Sequence, residues 1–415
     1  MQPVADTAGP AIAPTAPAVG RVLTAPAKCA VFLLGVCALL NIYSTQPLLP
    51  VLSRDLHVPL GQSTWTISAT TLGVAVMAPL AGSASDRLGR RRVILAAIGA
   101  SLVTTLALAT AWSFTALLVL RLAQGLLIPF VFAVAVAYLA EEYDGARAQA
   151  ANALYVSGTA FGGFLGRFLA GVAAAHAGWR ASFLPLAAVL LVTLLAAWRW
   201  LPAERHFERS RSLLAGLHGI GGHLGNPRLL GTCLVGAALL FLQVGAFTYA
   251  GLRLEGPPFR LSTLQSGAVF AVFLIAVVAT PLAGRLITRF GRLRAFAVAG
   301  LVSLIGLGLT LIPTTPTVVA GLAASCTGVF AGQACAIGYA ATAGRAARSG
   351  AVGLYLAGYY AGGSVGAVAP APVYAAGGWT ACAALLAAVT GLAIVIARLS
   401  WSTTTDRRRP VEESR

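Results

Sequence analysis

The chain has 415 residues, 58% of them apolar and only 10% charged, against roughly 45–50% and about 25% in soluble domains. That composition excludes a soluble enzyme and leaves a membrane protein, because each crossing of a hydrocarbon core about 30 Å thick takes about 20 apolar residues. The net charge of +17 would suggest nucleic acid in a soluble chain, but 28 of the 29 basic residues are Arg set in short clusters between apolar runs, so the expected partner is the lipid bilayer and not nucleic acid.

Residues 1–27 carry five prolines and no apolar periodicity and read as a disordered tail. The first apolar run starts near Cys29 and continues through Asn41-Ile-Tyr-Ser-Thr-Gln46-Pro-Leu-Leu-Pro50. No small-residue cleavage site follows its apolar stretch, so it reads as a retained helix and not a signal peptide. Eleven further runs follow at about 63–83, 92–111, 114–140, 148–174, 181–201, 229–252, 264–284, 293–312, 316–340, 350–373 and 379–399. The expected fold is all-α, with twelve transmembrane helices in two six-helix halves, 28–201 and 229–399, joined by a linker over 202–228 and ending in a tail over 400–415. With the N-terminus inside, 23 basic residues fall in cytoplasmic segments and four in outer loops, which predicts both termini in the cytoplasm.

The halves repeat. At an offset of 200, Leu154-Tyr-Val-Ser-Gly158-Thr-Ala-Phe-Gly162-Gly163-Phe-Leu-Gly166 matches Leu354-Tyr-Leu-Ala-Gly358-Tyr-Tyr-Ala-Gly362-Gly363-Ser-Val-Gly366, and Gly178-Trp179 matches Gly378-Trp379. At an offset of 202, Gly82-x3-Asp86-Arg-x-Gly89-Arg90-Arg91-Arg92 matches Gly284-x3-Thr288-Arg-x-Gly291-Arg-Leu-Arg294. Two parallel halves of this kind form a transporter architecture with its site between them near the middle of the membrane. The glycine stripes read best as packing within the bundle, with an oligomer interface as the alternative; a monomer is expected.

The loop from Gly82 to Arg92 resembles the signature of the major facilitator superfamily, and the repeat, the twelve runs and Arg121-Leu-Ala-Gln124-Gly125 in the fourth run extend the resemblance over the chain outside its tails. Gly82 permits close helix approach, Gly89 a tight turn, and Asp86 can cap a helix N-terminus. By resemblance, Gly82, Asp86, Gly89, Arg90 and Arg91 form a gating latch between the halves, weaker in the second copy, where Thr288 replaces Asp86.

A guanidinium at the membrane centre costs about 2.5–3.5 kcal/mol or more, so Arg121 and Arg167 must face water or a partner. Both lie in the outer third of their runs, level with Gln46, and the expectation is one polar site formed by all three. A structural Arg bonded to backbone carbonyls is the competing reading of each. Asn41 and Gln124 join the expected substrate-binding set, and the second half, which has Ala367 where the first has Arg167, offers Gln243, Tyr249, Gln333, Tyr359 and Tyr360. No nucleotide-binding loop, metal-ligand spacing or cofactor motif occurs in the sequence, and no Ser/His, Asp/Asp or metal-ligand set lies within the runs, so neither ATP-driven transport nor intramembrane catalysis is expected. All twelve carboxylates lie in loops, tails or run ends; protons are a candidate coupling ion, with Asp86, Glu141 and Glu142 as the nearest carriers.

The whole resembles bacterial twelve-helix efflux-type permeases. The resemblance implies alternating-access transport of a small organic solute across the inner membrane, with efflux as the expected direction, while the two fixed charges within the runs point to an anionic or neutral amphipathic compound as what is carried. The alternatives are uptake of an organic anion and a transport-dead sensor. Gly162-Gly163 stands where many drug antiporters of the family carry Gly-Pro, a departure from the antiporter pattern.

Overall fold

The computed structural model describes residues 22–204, 223–343 and 348–401. Most of the expected N-terminal tail, most of the linker and the C-terminal tail beyond Trp401 lie outside the described residues. In the first half the elements are α1 (Ala25–Leu40), a 3₁₀ turn (Gln46–Leu48), α2 (Leu49–Asp55), α3 (Leu60–Ser63), α4 (Trp65–Leu88), α5 (Arg90–Ala109), α6 (Phe114–Glu142), α7 (Gly145–Ala181) and α8 (Phe183–Trp200). The second half has α9 (Pro227–Glu255), α10 (Thr263–Val269), a 3₁₀ segment (Phe270–Ile275), α11 (Ala276–Phe290), α12 (Arg292–Leu309), α13 (Thr315–Ala343), α14 (Arg348–Val368) and α15 (Pro370–Ser400).

Nine helices among the described residues are long and apolar enough to cross a membrane. Of the other three crossings of the expected twelve, two are broken. The first is α1, which stops at Leu40 and resumes only at Gln46, where one continuous helix was expected. Pro47 and Pro50 lack the N–H that a helix needs, and the backbone from Asn41 to Thr45 turns instead. The other broken one is the eighth, which passes from α10 through the 3₁₀ segment into α11; the eleventh runs through α14 into the start of α15 and stays helical across Ala369 (φ −59°, ψ −33°), beside Pro370 with its missing N–H. The fifth and eleventh crossings turn back at Gly178 (φ 79°) and Gly378 (φ 60°), single residues in the left-handed region that glycine tolerates, where longer loops were expected.

The repeated glycines pack one helix against another within each half. A Cβ on Gly158, Gly162 or Gly166 of α7 would collide with the backbone carbonyls of Phe32, Val36 and Leu40 in α1, and one on Gly362 of α14 with that of Ala237 in α9. One apolar core, built on Leu34, Ile98, Tyr138 and Phe183, lies within the first half; the other, built on Phe247, Phe296, Tyr355 and Leu386 of the second, extends across the halves to Ile42, Ile67 and Ile128. The helices that remain to face each other across the pseudo-symmetry axis enclose the site.

Candidate substrate cavity

A cavity of about 300 Å³ lies between the halves, walled by α1, the turn after it, α6 and α7 on one side and by α9, the 3₁₀ segment, α13 and α14 on the other. Tyr43, Gln46, Gln243, Gln333, Tyr359 and Tyr360 supply its polar groups, Phe132, Phe273 and Phe330 its apolar wall, and Arg167 its one charge among the described lining residues. Toward the face of the molecule that carries Gly178, the cavity is closed. There Gln46 donates to Thr248 Oγ1 across the halves (3.0 Å), and Gly267 of α10 sits against the backbone of Arg167 and Phe168, a Cβ on it lying 3.5 Å from the Arg167 carbonyl. Toward the opposite face, which carries Gly89, the lining ends at Val156, which is 41% exposed.

Arg167 projects from α7 into this wall and is 2% exposed. Its Nε donates to Gln46 Oε1 at 2.6 Å and its Nη1 to the Gly163 carbonyl. The guanidinium carbon lies 4.4–4.8 Å from the ring centres of Tyr43, Phe270 and Phe273, close enough for cation–π attraction to all three. Among the described residues no carboxylate pairs with it and Nη2 has no partner, so the site offers a positive charge with free donor capacity. Tyr359 and Tyr360 stand edge to face at 5.4 Å, and Tyr359 OH donates to Gln333 Oε1 (3.1 Å). Gln243 completes the second half's contribution. Tyr249 lies outside the cavity lining and is bonded through its OH to the Ala367 carbonyl.

Arg121, Gln124 and Asn41 do not join this site, contrary to the expectation of one polar cluster. Arg121 is fully buried and spends its donors on protein: Nη1 on the Asn41 carbonyl (2.7 Å) and Gln124 Oε1 (2.6 Å), Nη2 on the Ile42 carbonyl (2.7 Å), and Nε on the Thr66 carbonyl (3.2 Å). The cause is the break after α1. Gln46 N–H bonds to Tyr43 O instead of Ile42 O, leaving the Ile42 carbonyl without its helical partner, and the guanidinium fills the vacancy. Gln124 and Asn41 both donate to Thr105 Oγ1, at 2.8 and 3.3 Å. Gln46 does line the cavity, yet both ends of its amide are already engaged, by Arg167 and Thr248.

At the Gly89 face the expected latch residues bond within the first half. Arg90 forms a two-pronged pair with Glu141 and contacts Asp86 at 2.9 Å, one turn back along the chain. Arg91 donates through Nε and Nη2 to the carbonyls of Leu201 and Trp198 at the end of α8. Asp86 caps no helix among the described residues, and the N-terminus of α5 is served by Glu204, whose carboxylate accepts from the Arg91 backbone N–H. Gly89 has φ 93° and makes the tight turn, whereas no atom of the described residues comes within 4 Å of where a Cβ on Gly82 would stand. Sequence reasoning missed Tyr43, Phe270, Phe273 and Thr248. Of these only Tyr43, three residues before Gln46, carried a visible signal.

The Major Facilitator Superfamily model matches residues 31–343 and 258–415. An uncharacterized MFS-type transporter of Bacillus subtilis, YybF, is 30% identical over 326 residues, 78% of this chain and 80% of its own. The inner membrane transport protein YnfM of Escherichia coli is 30% identical over 267 residues, 63% of each chain. The tetracenomycin C resistance and export protein of Streptomyces glaucescens is 27% identical over 35% of this chain and 27% of its own. Among solved structures, the human organic anion transporter MFSD10 superposes with a TM-score of 0.70 at 20% identity, covering 89% of this chain and 98% of that one, which is a likeness of fold. On the family match, the bacterial relatives and the apolar helices, this chain belongs to the major facilitator superfamily and is a multi-pass membrane transporter.

Proposed function

We propose that the protein exports a small organic anion, or a neutral amphipathic compound with a strong acceptor group, across the bacterial inner membrane by alternating access. The observation that carries this reading is Arg167: one guanidinium in the cavity wall, with no carboxylate pairing with it among the described residues. In a low-dielectric wall that charge repels a cation and attracts an anion. The substrate's charged or acceptor end would sit against the free edge of Arg167, and its apolar body against Tyr359, Tyr360 and Phe330.

In this reading the Gly89 face and both termini lie in the cytoplasm, the conformation described is open toward the cytoplasm, and substrate enters past Val156. The relative that exports tetracenomycin C supports the outward direction. Protons are the proposed coupling ion, and Asp86 and Glu141, held by Arg90, are the carboxylates offered for that role. The Asp86 loop acts as the latch that closes the Gly89 face in the other half of the cycle.

The test is a binding measurement on purified protein with three ligands of one ring system, a carboxylate, its neutral amide and a quaternary ammonium. A charge-assisted hydrogen bond contributes about 1.5–3 kcal/mol. Arg167→Ala is therefore expected to weaken the carboxylate by about tenfold or more and to leave the amide within about threefold. Tight binding of the ammonium, indifferent to Arg167→Ala, would overturn the reading.

A further inference from the structure

Arg167 stands in the first half, but its neighbours join it to the second. Two of the three rings around its guanidinium, Phe270 and Phe273, belong to the 3₁₀ segment of the second half. Its Nε–H ends on Gln46, and Gln46 in turn donates to Thr248 of α9, also in the second half. All of these side chains are buried: Gln46 is 5% exposed, Thr248 2%, Phe270 3% and Phe273 6%.

The direction of the amide follows from chemistry. A guanidinium has donors and no acceptor, so the carbonyl end of Gln46 must face Arg167 and the NH2 end must face Thr248. A positive charge on the carbonyl side draws electron density along the amide and makes its N–H a stronger donor, the mutual polarisation of hydrogen bonds in series. The cation–π contacts depend on the same charge. Every one of these contacts between the halves lies at the closed end of the cavity, toward the Gly178 face.

We infer that the charge on Arg167 holds the Gly178 face closed, with Gln46 as the positioning residue that passes its effect to Thr248 of the other half. An anion seated on the free edge of Arg167 compensates the charge, weakens the donor to Gln46, relaxes the Gln46–Thr248 bond and reduces the pull on Phe270 and Phe273. Loading the cavity then favours opening of the far face. This last consequence rests on the proposed anion site; the charge coupling itself does not.

The test measures distances between the halves by pulsed electron paramagnetic resonance on the full chain in lipid nanodiscs. Spin labels are placed through Leu60→Cys and Leu264→Cys, at exposed positions (37% and 38%) near the Gly178 face, with the exposed Cys29 changed to Ser. Without ligand, Thr248→Val is expected to raise the ratio of open to closed distances by about fivefold, the factor carried by one net hydrogen bond. Thr248→Ser, which keeps the hydroxyl, should match the unmutated pair. Arg167→Met should open the face at least as far, and in that background Thr248→Val should add less than about twofold, because the amide is no longer polarised. Benzoate, used as the anionic probe, should open the face when Arg167 is present and do nothing in Arg167→Met. An unchanged closed population in Thr248→Val, or the same fivefold effect with and without Arg167, would overturn the inference. If the ligand-free variants behave as expected but saturating benzoate leaves the distances unchanged, the coupling stands and the anion site fails.

Discussion

Arg121 and Arg167 are both buried arginines in apolar helices, and their hydrogen-bond partners separate their roles. Arg121 bonds to three backbone carbonyls, those of Asn41, Ile42 and Thr66. Truncating it takes the donor from the Ile42 carbonyl and from Gln124 Oε1, at about 1–3 kcal/mol for each left unsatisfied, while the Asn41 and Thr66 carbonyls keep bonds from Ser44 and Thr70. Arg121→Ala is therefore expected to lower unfolding stability in detergent by roughly 3 kcal/mol or more, visible as a large drop in the melting midpoint, while Arg167→Ala lowers it far less and acts on ligand affinity. Equal stability losses in the two variants would contradict this division. Arg167→Lys should recover only part of the carboxylate affinity, because an ammonium cannot present the planar fork. That both residues matter was legible in the sequence, since neither charge can sit in an apolar run without a partner. Which of them faces the cavity was not, because the answer depends on carbonyls freed by the break after Leu40. Pro47 and Pro50 announce the break, but not the residue that fills it.

Among the helices, the glycine stripes decide how closely neighbours approach. Gly162 meets the backbone of Val36, whereas a Cβ on the adjacent Gly163 would find nothing nearer than Arg167 Nη1 at 3.6 Å. Gly162→Val is expected to abolish monodisperse protein on size-exclusion chromatography, and Gly163→Ala to leave the elution profile unchanged. The repeat made these stripes readable, because the same spacing recurs 200 residues on. The loop between α4 and α5 shows the opposite case. Its residues were legible as a motif, but not its bonds, since Glu141 and Glu204 come from elements distant in sequence. With Arg90 and Asp86 engaged inside one half, the proposed latch has to form when the Gly89 face closes. Asp86→Asn should therefore reduce turnover several-fold with little change in substrate affinity, as measured by initial rates and equilibrium binding on the same preparation. Thr288→Ala in the second copy should do neither.

For the molecule as a whole, twelve crossings and two like halves were legible from composition and repeat, because a membrane leaves backbone groups few ways to be satisfied. The two broken crossings were not, since hydropathy reads the length of an apolar run and says nothing of breaks within it. The 23 to 4 distribution of basic residues predicts that a reporter fused after Arg415 is active only in its cytoplasmic form; periplasmic activity would refute the proposed orientation. The central claim is that one fixed charge in the cavity wall selects what is carried. Its most direct test is flux in proteoliposomes under an imposed pH gradient, comparing a labelled aromatic carboxylate with a quaternary ammonium on the same ring, for the unmutated protein and Arg167→Ala. Carboxylate transport is expected to fall about tenfold or more in Arg167→Ala, with no ammonium transport by either protein. Ammonium transport that survives Arg167→Ala would contradict it.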